Sequence, residues 1–402
     1  MSKRKGKTVM KRRVACLFAV VAIAATAEVP KTATIIPAPR EIRATGGEYL
    51  DKKPPKMEKV AGLPPEGYEL SITTNGITIR HSDDAGAFYA QITLFHSGRW
   101  DSKAKCKVYP CLEIKDWPQF RWRGVHLDDS RRFFGKEAVL QLLKQMSWFK
   151  FNVLHWHLTD DQLWSLEIPG FPELQKYGVE WYINGPAKWR GEKVGPLYYT
   201  ANDVKEILAY AKERHITVVP EIELPGHSAA AILAYPELYC FPKDIYSCNR
   251  DVFKFNRKKL YNNVYCFGNP DTFHFLEKVL DYVCELFPSE VIHIGGDECS
   301  RGNWKACPKC QAFIKEKGLK GVEDIQPAAR KNVVGGQCCN WSTHTFCLEG
   351  LEWKMWPRGF ALAEVLWTYP DPTKRDFKEF EERAANYRRR LIGAHVNCAP
   401  LK

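Results

Sequence analysis

The sequence predicts an α/β protein: a TIM-barrel-type domain of parallel β-α units preceded by a small α+β domain. Three observations predict it. From Phe120 onward, compact apolar runs alternate with stretches that are amphipathic at helical spacing, the pattern of successive β-α units on a parallel sheet. Each apolar run ends in a cluster of ionisable residues, as expected where strands open onto a site at the C-terminal face of a barrel. Between Ile35 and Ile114 the elements are instead short and separated by turn residues. A chain of 402 residues with 45% hydrophobic and 26% charged positions suits a folded globular protein and excludes a disordered or fibrous one.

Residues 1–27 read as an export signal. Seven basic residues (Lys3, Arg4, Lys5, Lys7, Lys11, Arg12 and Arg13) precede the apolar run Val14 to Ala27, which is too short to span a bilayer comfortably and ends in Ala25-Thr26-Ala27. Cleavage near Ala27 would deliver the protein to the periplasm or the exterior with no stable membrane anchor. It also takes the formal charge from +12 to +5, and most of the case for a nucleic-acid partner goes with it.

The small α+β domain is placed at 28–115. Tyr68 to Ile72 and Ile77 to Arg80 alternate around Asn75-Gly76, a hairpin whose Asn-Gly pair should supply the positive φ angles of a type I′ turn. Asp84 to His96 follows as a helix with Phe88, Ile92 and Phe95 on one face. The barrel-type domain is placed at 116–402. Its strands are expected at Trp122 to Leu127, Asn152 to Leu158, Thr217 to Ile222 and Glu290 to Gly295. Helices are expected at Lys136 to Phe149, after a capping box at Thr200 to Asp203, at Asn269 to Phe287 and, unbroken, at Asn303 to Lys317.

The strand ends carry Asp128-Asp-Ser-Arg131, His155-Trp-His157-Leu-Thr-Asp160-Asp161, Glu221-Ile-Glu223-Leu-Pro-Gly-His227 and His293-Ile-Gly-Gly-Asp297-Glu298. Burying so many ionisable groups costs several kcal/mol each unless they are paired, so a shared polar pocket accounts for them better than chance. Asp297 and Glu298 are adjacent carboxylates, and like charge pushes one pKa upward, which suits a general acid. An Asp-Glu pair in isolation is commonly a solvated face; the preceding His-x-Gly-Gly at a strand end sharpens it. Trp156, Trp164 and Trp341 offer faces that stack on sugars, although a single tryptophan is more often core. Carboxylates and tryptophans in a barrel mouth point to glycoside hydrolysis.

No metal or cofactor is expected, because the histidines lack a compact ligand spacing. Among fourteen cysteines, Cys240, Cys248 and Cys266 are the closest candidates for pairing. Cys299, Cys307 and Cys310 resemble part of a zinc site, but three ligands and an exported address favour a disulfide or buried thiols.

In order along the chain, IIPAPREI, PEGYEL, DDAGAFYA, FRWRGVHLDDSRRFF, FNVLHWHLTDDQLW, VVPEIELPGH, VIHIGGDE, VVGGQCCNW and LEWKMWPRGFALAEVLW resemble the family 20 glycoside hydrolases, the exo-acting β-N-acetylhexosaminidases. The resemblance implies a glycan substrate ending in N-acetylglucosamine or N-acetylgalactosamine and a substrate-assisted retaining mechanism. Glu298 would be the acid and later the base. The substrate's own acetamido oxygen would be the nucleophile, oriented by Asp297. The resemblance also assigns Arg131 to the 3- and 4-hydroxyls, Asp160, His227 and His293 to the support of the acid, and Trp341 to the pocket wall.

Two departures stand beside these matches. Thr343 occupies the place of the family's sugar-binding glutamate. Only 36 residues separate Gly296 from Val333, which looks like the start of the last barrel strand. Three further β-α units would need about 90. The chain is therefore expected to pass from the fourth strand to the eighth, with an internal deletion near 318–332 and cleavage reduced or lost. The alternative is a non-catalytic carbohydrate-binding remnant.

Overall fold

A computed structural model describes residues 35–176, 197–242, 264–322, 334–342, 345, 347–368 and 376–401. The signal segment, Cys248 and Thr343 lie outside the described residues.

The first layer is a sheet of β1 (Glu41–Leu50), β2 (Lys56–Lys59), β3 (Tyr68–Thr73), β4 (Gly76–His81), β5 (Arg99–Asp101) and β6 (Cys106–Asp116), covered by helix α1 (Asp84–Ser97). Its order is β1-β6-β3-β4-β2, with β5 on β6. Period-two alternation buries Tyr68, Leu70 and Ile72 beneath α1. The β3-β4 hairpin lies where the alternation predicts it, but its corner does not. Thr73 pairs with Gly76, so Thr74 and Asn75 turn the chain and Gly76 is already strand. Neither Asn75 nor Gly76 has a positive φ; the Thr73 hydroxyl instead donates to the Gly76 carbonyl and accepts from the Asn75 N–H.

Helix α1 starts at Asp83, whose carboxylate accepts the Gly86 N–H. The face it buries is Tyr89, Ala90, Thr93, Leu94 and His96, while Phe95 stays exposed. Phe88 and Ile92 are half-buried, so the face they share with Phe95 is not the one turned inward, and the cause is distant. Thr93 and His96 find hydroxyl partners on Tyr68 and Tyr387, at 2.6 and 2.7 Å, so polar residues occupy the inner face.

The second layer runs β7 (Trp122–Asp128), α2 (Lys136–Trp148), β8 (Val153–His157), α3 (Ala201–Lys212), β9 (Thr217–Glu221), α4 (Ala229–Ala234), α5 (Pro270–Leu286), α6 (Gly302–Ala306), α7 (Pro308–Glu316), β10 (Gly335–Asn340), α8 (Leu348–Met355), α9 (Arg358–Trp367) and α10 (Phe377–Gly393). The four strands form one all-parallel sheet in the order β10-β7-β8-β9. β10 thus sits beside β7, as a last barrel strand sits beside the first. Thr200 and Asp203 form the expected capping box at the head of α3.

Two elements depart from expectation. Residues 290–295 meet β9 only through the bridge from Glu221 to His293 and neighbouring backbone bonds, and Val291 and Ile294 are 48% and 41% exposed. Among the described residues nothing strand-like covers their far side, so the apolar pair faces solvent. The stretch 303–317 is two helices because Pro308 cannot donate a backbone hydrogen bond and restarts the helix as its first residue.

Candidate active site

Parallel pairing aligns the polar positions of three strands. His126 lies beside His155, and Asp128 beside His157 beside Glu221. The side chains alternate. His126, Asp128, His155, His157, Glu221 and Glu223 share the inner face, while Leu127, Trp156 and Ile222 are buried among the helices behind.

Glu221 is the centre of this face. The His157 Nδ1 donates to it at 2.6 Å, the His293 Nδ1 stands 2.7 Å away, and His155 and His126 Nε2 approach to 2.9 and 3.7 Å. Burial raises the pKa of a carboxyl, but this group of imidazoles holds Glu221 far below the usual carboxylate range. His157 donates through its other nitrogen to Asp160 at 3.0 Å. Burial opposes its charge, yet hydrogen bonds to Asp160 and Glu221 raise its pKa to about 10, which makes it an imidazolium near neutrality.

The Asp128 carboxylate accepts the N–H groups of Ser130 and Arg131 at 3.1 and 3.0 Å, a local turn that aims the Arg131 side chain. The guanidinium then reaches Asp160 at 2.7 Å and Asp128 at 3.2 Å and lies 5.1 Å above the Trp341 ring. Ser342 donates its N–H to Asp128 at 3.0 Å, tying the Trp341 segment to β7. Burial again works against the Asp160 charge, and His157, His227 and Arg131 hold its pKa well below the ordinary value.

From Asp160 the contacts continue outward. His227 Nδ1 lies 3.4 Å from Asp160 and 3.6 Å from Asp161, at ion-pair rather than hydrogen-bond geometry, and the two carboxylates raise its pKa to about 11. Its Nε2 stands 3.8 Å from the Glu298 carboxylate. His227 and Glu298 both adopt positive φ, at 47° and 46°. Non-glycine residues hold such angles at a cost of about 1–3 kcal/mol, and these outliers concentrate at functional sites.

The raised carboxylate of the cluster is Glu223. Burial, Glu221 and Asp297 together lift it to about pH 8. Gly295 makes room for it: at φ 63° a Cβ there would fall 1.7 Å from Glu223 Oε2. Folded Glu223 keeps its proton up to about pH 8, whereas the unfolded chain releases it near pH 4.5. Across that window the folded state binds more protons, so stability falls as pH rises. Glu223→Gln removes that loss. The melting temperature of the variant relative to the parent should therefore increase from pH 5 to pH 8; a difference that stays flat would contradict the assignment.

The structure brings Arg131, Asp160, His227, Glu298 and Trp341 into one chain of contacts and directs His293 to Glu221 instead. Asp297 and Glu298 are exposed, the Glu298 side chain by 80%. Trp341 is 46% exposed, but Trp156 and Trp164 are core residues rather than sugar platforms, and Trp156 Nε1 donates to buried Asp129 at 2.6 Å. His155, His157, Glu221 and Glu223 belong to the expected polar pocket but had no role assigned in it, and His126 was absent from it. Their signal was in the sequence as His126-x-Asp128, His155-x-His157 and Glu221-x-Glu223, a period-two polar face on strands otherwise apolar. Of the three cysteines whose spacing resembles part of a zinc site, Cys307 and Cys310 are buried thiols, as expected, and Cys299 stands apart from them. Cys299 lies against Gly226, Cys307 and Cys310 meet Cys240 and Cys266, and all twelve described cysteines are free thiols.

A parallel, barrel-type sheet with an arginine, carboxylates and an exposed tryptophan gathered at its C-terminal rim defines the class of TIM-barrel glycoside hydrolases. Within that class the chain belongs to glycosyl hydrolase family 20, whose catalytic domain matches residues 120–328 and whose domain 2 matches residues 50–117. A beta-hexosaminidase of Porphyromonas gingivalis is 38% identical over 66% of this chain and 33% of its own length. Beta-hexosaminidases of Vibrio furnissii and Akkermansia muciniphila are 40% and 32% identical, over 64% and 73% of this chain and 42% and 57% of theirs. The chain thus spans between a third and just over half the length of these curated relatives. In fold it resembles the beta-N-acetylhexosaminidase of Bacteroides fragilis, with a TM-score of 0.76 at 23% identity over 91% of this chain and 97% of that one.

Proposed function

We propose that the protein acts on glycans ending in a β-linked N-acetylhexosamine, as a hexosaminidase of the substrate-assisted retaining type. The observation that carries this reading is the continuous chain Arg131-Asp160-His227-Glu298, with Trp341 beneath the guanidinium. Arg131 offers a charged fork to vicinal hydroxyls and Trp341 an apolar face to the ring. Glu298 gives its proton to the glycosidic oxygen as the bond to C1 breaks, and the acetamido oxygen attacks C1 to form an oxazolinium. Asp297 orients the acetamido group. Water then attacks C1 and gives a proton to Glu298 as the bond from C1 to the acetamido oxygen breaks. His293 acts at a distance, through Glu221 and His157.

Turnover is low in this reading, because Glu298 is solvated on an exposed turn rather than held in a dry pocket. The same exposure favours a second reading, in which the rim binds a terminal sugar without cleaving it. The short interval from Gly296 to Val333 supports an internal deletion that removes barrel strands five to seven; residues 323–333 lie outside the described residues. The basic and apolar first 27 residues support export. No helix among the described residues is long and apolar enough to cross a membrane.

Hydrolysis of a chromogenic N-acetylglucosaminide and calorimetry with N-acetylglucosamine test both readings. Glu298→Gln should cut turnover by about 100-fold or more and leave sugar binding intact. An unchanged rate removes Glu298 from its role. Heat of binding without turnover selects the second reading, and neither heat nor turnover rejects both.

A further inference from the structure

Four thiols converge away from the carboxylate rim. Cys240 follows α4, Cys266 precedes α5, Cys307 links α6 to α7 and Cys310 lies in the first turn of α7; all four are buried. Their sulfurs stand 3.7 Å (Cys240 to Cys310), 3.9 Å (Cys266 to Cys307) and 3.7 Å (Cys266 to Cys310) apart, and all four lie within 4.8 Å of one another. A disulfide would hold two sulfurs about 2.05 Å apart. A tetrahedral zinc ion with bonds of about 2.3 Å holds its sulfurs about 3.8 Å apart. The observed spacings are those of the second arrangement.

The backbone is shaped for the same purpose. Cys307-Pro308-Lys309-Cys310 supplies a C-x2-C pair on a tight turn. Gly268 presses against that turn so closely that a Cβ would fall 2.1 Å from the Lys309 carbonyl carbon and 2.3 Å from the Cys310 nitrogen. Its own N–H points at the sulfurs of Cys266 and Cys310, which fixes where both stand. On the other side, the Tyr239 to Tyr265 bridge and the Cys266 N–H to Leu238 carbonyl bond, 2.8 Å long, hold Cys240 alongside Cys266.

We propose that Cys240, Cys266, Cys307 and Cys310 bind one structural zinc ion. Four thiols give up four protons and each contributes one Zn–S bond, so a centre of net charge −2 forms between sequence-flanking Lys305 and Lys309. The ion clamps the α6-α7 segment, which begins at Gly302, four residues beyond Glu298, onto the loop before α5. It is a staple where no regular strand fixes the chain, and it is independent of what the rim binds.

The test uses the full chain purified without chelator, with metal measured by plasma mass spectrometry. One zinc per chain is expected, lost in Cys310→Ser and in Cys240→Ser and kept in Cys284→Ser, which changes an exposed thiol outside the cluster. Should the cluster variants fail to fold, exchange of cobalt(II) into the unaltered protein decides. Intense visible bands and sulfur-to-metal charge transfer are expected of a tetrathiolate, and their absence overturns the proposal. Peptide mapping without reductant that finds these four residues as two disulfides overturns it, as does a metal-free protein with four free thiols, or iron in place of zinc.

Discussion

Lys150→Met should lower the melting temperature by about 10 °C, the loss expected when about 3–5 kcal/mol is removed by breaking one side of a buried ion pair. Lys150 has no solvent exposure, and its ammonium donates to Asp116 at 3.0 Å and to the Tyr68 hydroxyl at 2.9 Å while lying 4.2 Å over the Trp367 ring. Asp116, equally buried, also accepts Trp367 Nε1 at 2.9 Å and the Tyr68 hydroxyl at 2.6 Å. One carboxylate at the end of β6 thus holds a lysine that follows α2 and a tryptophan that ends α9, joining the two layers. Without the ammonium, Asp116 must keep an uncompensated charge or take up a proton, and either is costly. Adding Asp116→Asn to Lys150→Met should recover part of the loss, because no charge is then left behind. Calorimetry at pH 7 and a common scan rate measures both; a single variant that melts within 2 °C of the parent would show that the junction contributes little.

Arg131→Ala should abolish measurable binding of N-acetylglucosamine. Charge-assisted hydrogen bonds are worth about 1.5–3 kcal/mol each, so loss of a two-pronged donor weakens affinity a hundredfold or more. A second effect is expected in stability. Asp128 and Asp160 are both buried, and without the guanidinium they face each other with His157 and His227 as the remaining cations. The melting temperature should fall while far-ultraviolet circular dichroism keeps its shape. Arg131→Lys separates the two effects: it restores a charge to the aspartates and part of the stability, but a point ammonium cannot reproduce the fork, so binding should stay weak. Full affinity in Arg131→Ala would remove this residue from the site.

The parts of the fold that were legible in the sequence are those determined locally. β7, β8 and β9 lie within a residue or two of the apolar runs that announce them, and the Thr200-Asp203 capping box starts α3 where two side chains three residues apart allow it. Long-range features were less legible. The inner face of α1 depends on hydroxyls of Tyr68 and Tyr387, the second of them nearly three hundred residues away. The strand expected at 290–295 has the apolar composition of a strand, but its pairing with β9 stops at one bridge and a few backbone bonds, too few to make a ladder. In the site, Arg131, Asp160, His227 and Glu298 came from blocks that resemble a family. Glu221 was placed in the pocket, but its central role was not legible, because a glutamate at a strand end means little until the register shows four histidines around it.

The exposed edge at Val291 and Ile294 bears on kinetics. Among the described residues, the rim's side chains stand on the arc that runs from β10 through β7, β8 and β9 to Glu298. None of the described residues would have to move for a sugar arriving along the remaining arc to reach Trp341. Entry would be an ordinary diffusive encounter, and departure would require only that the contacts with Arg131 and Trp341 break. With only those described contacts to break, a sugar bound as proposed would exchange rapidly, its residence time set by the strength of one grip.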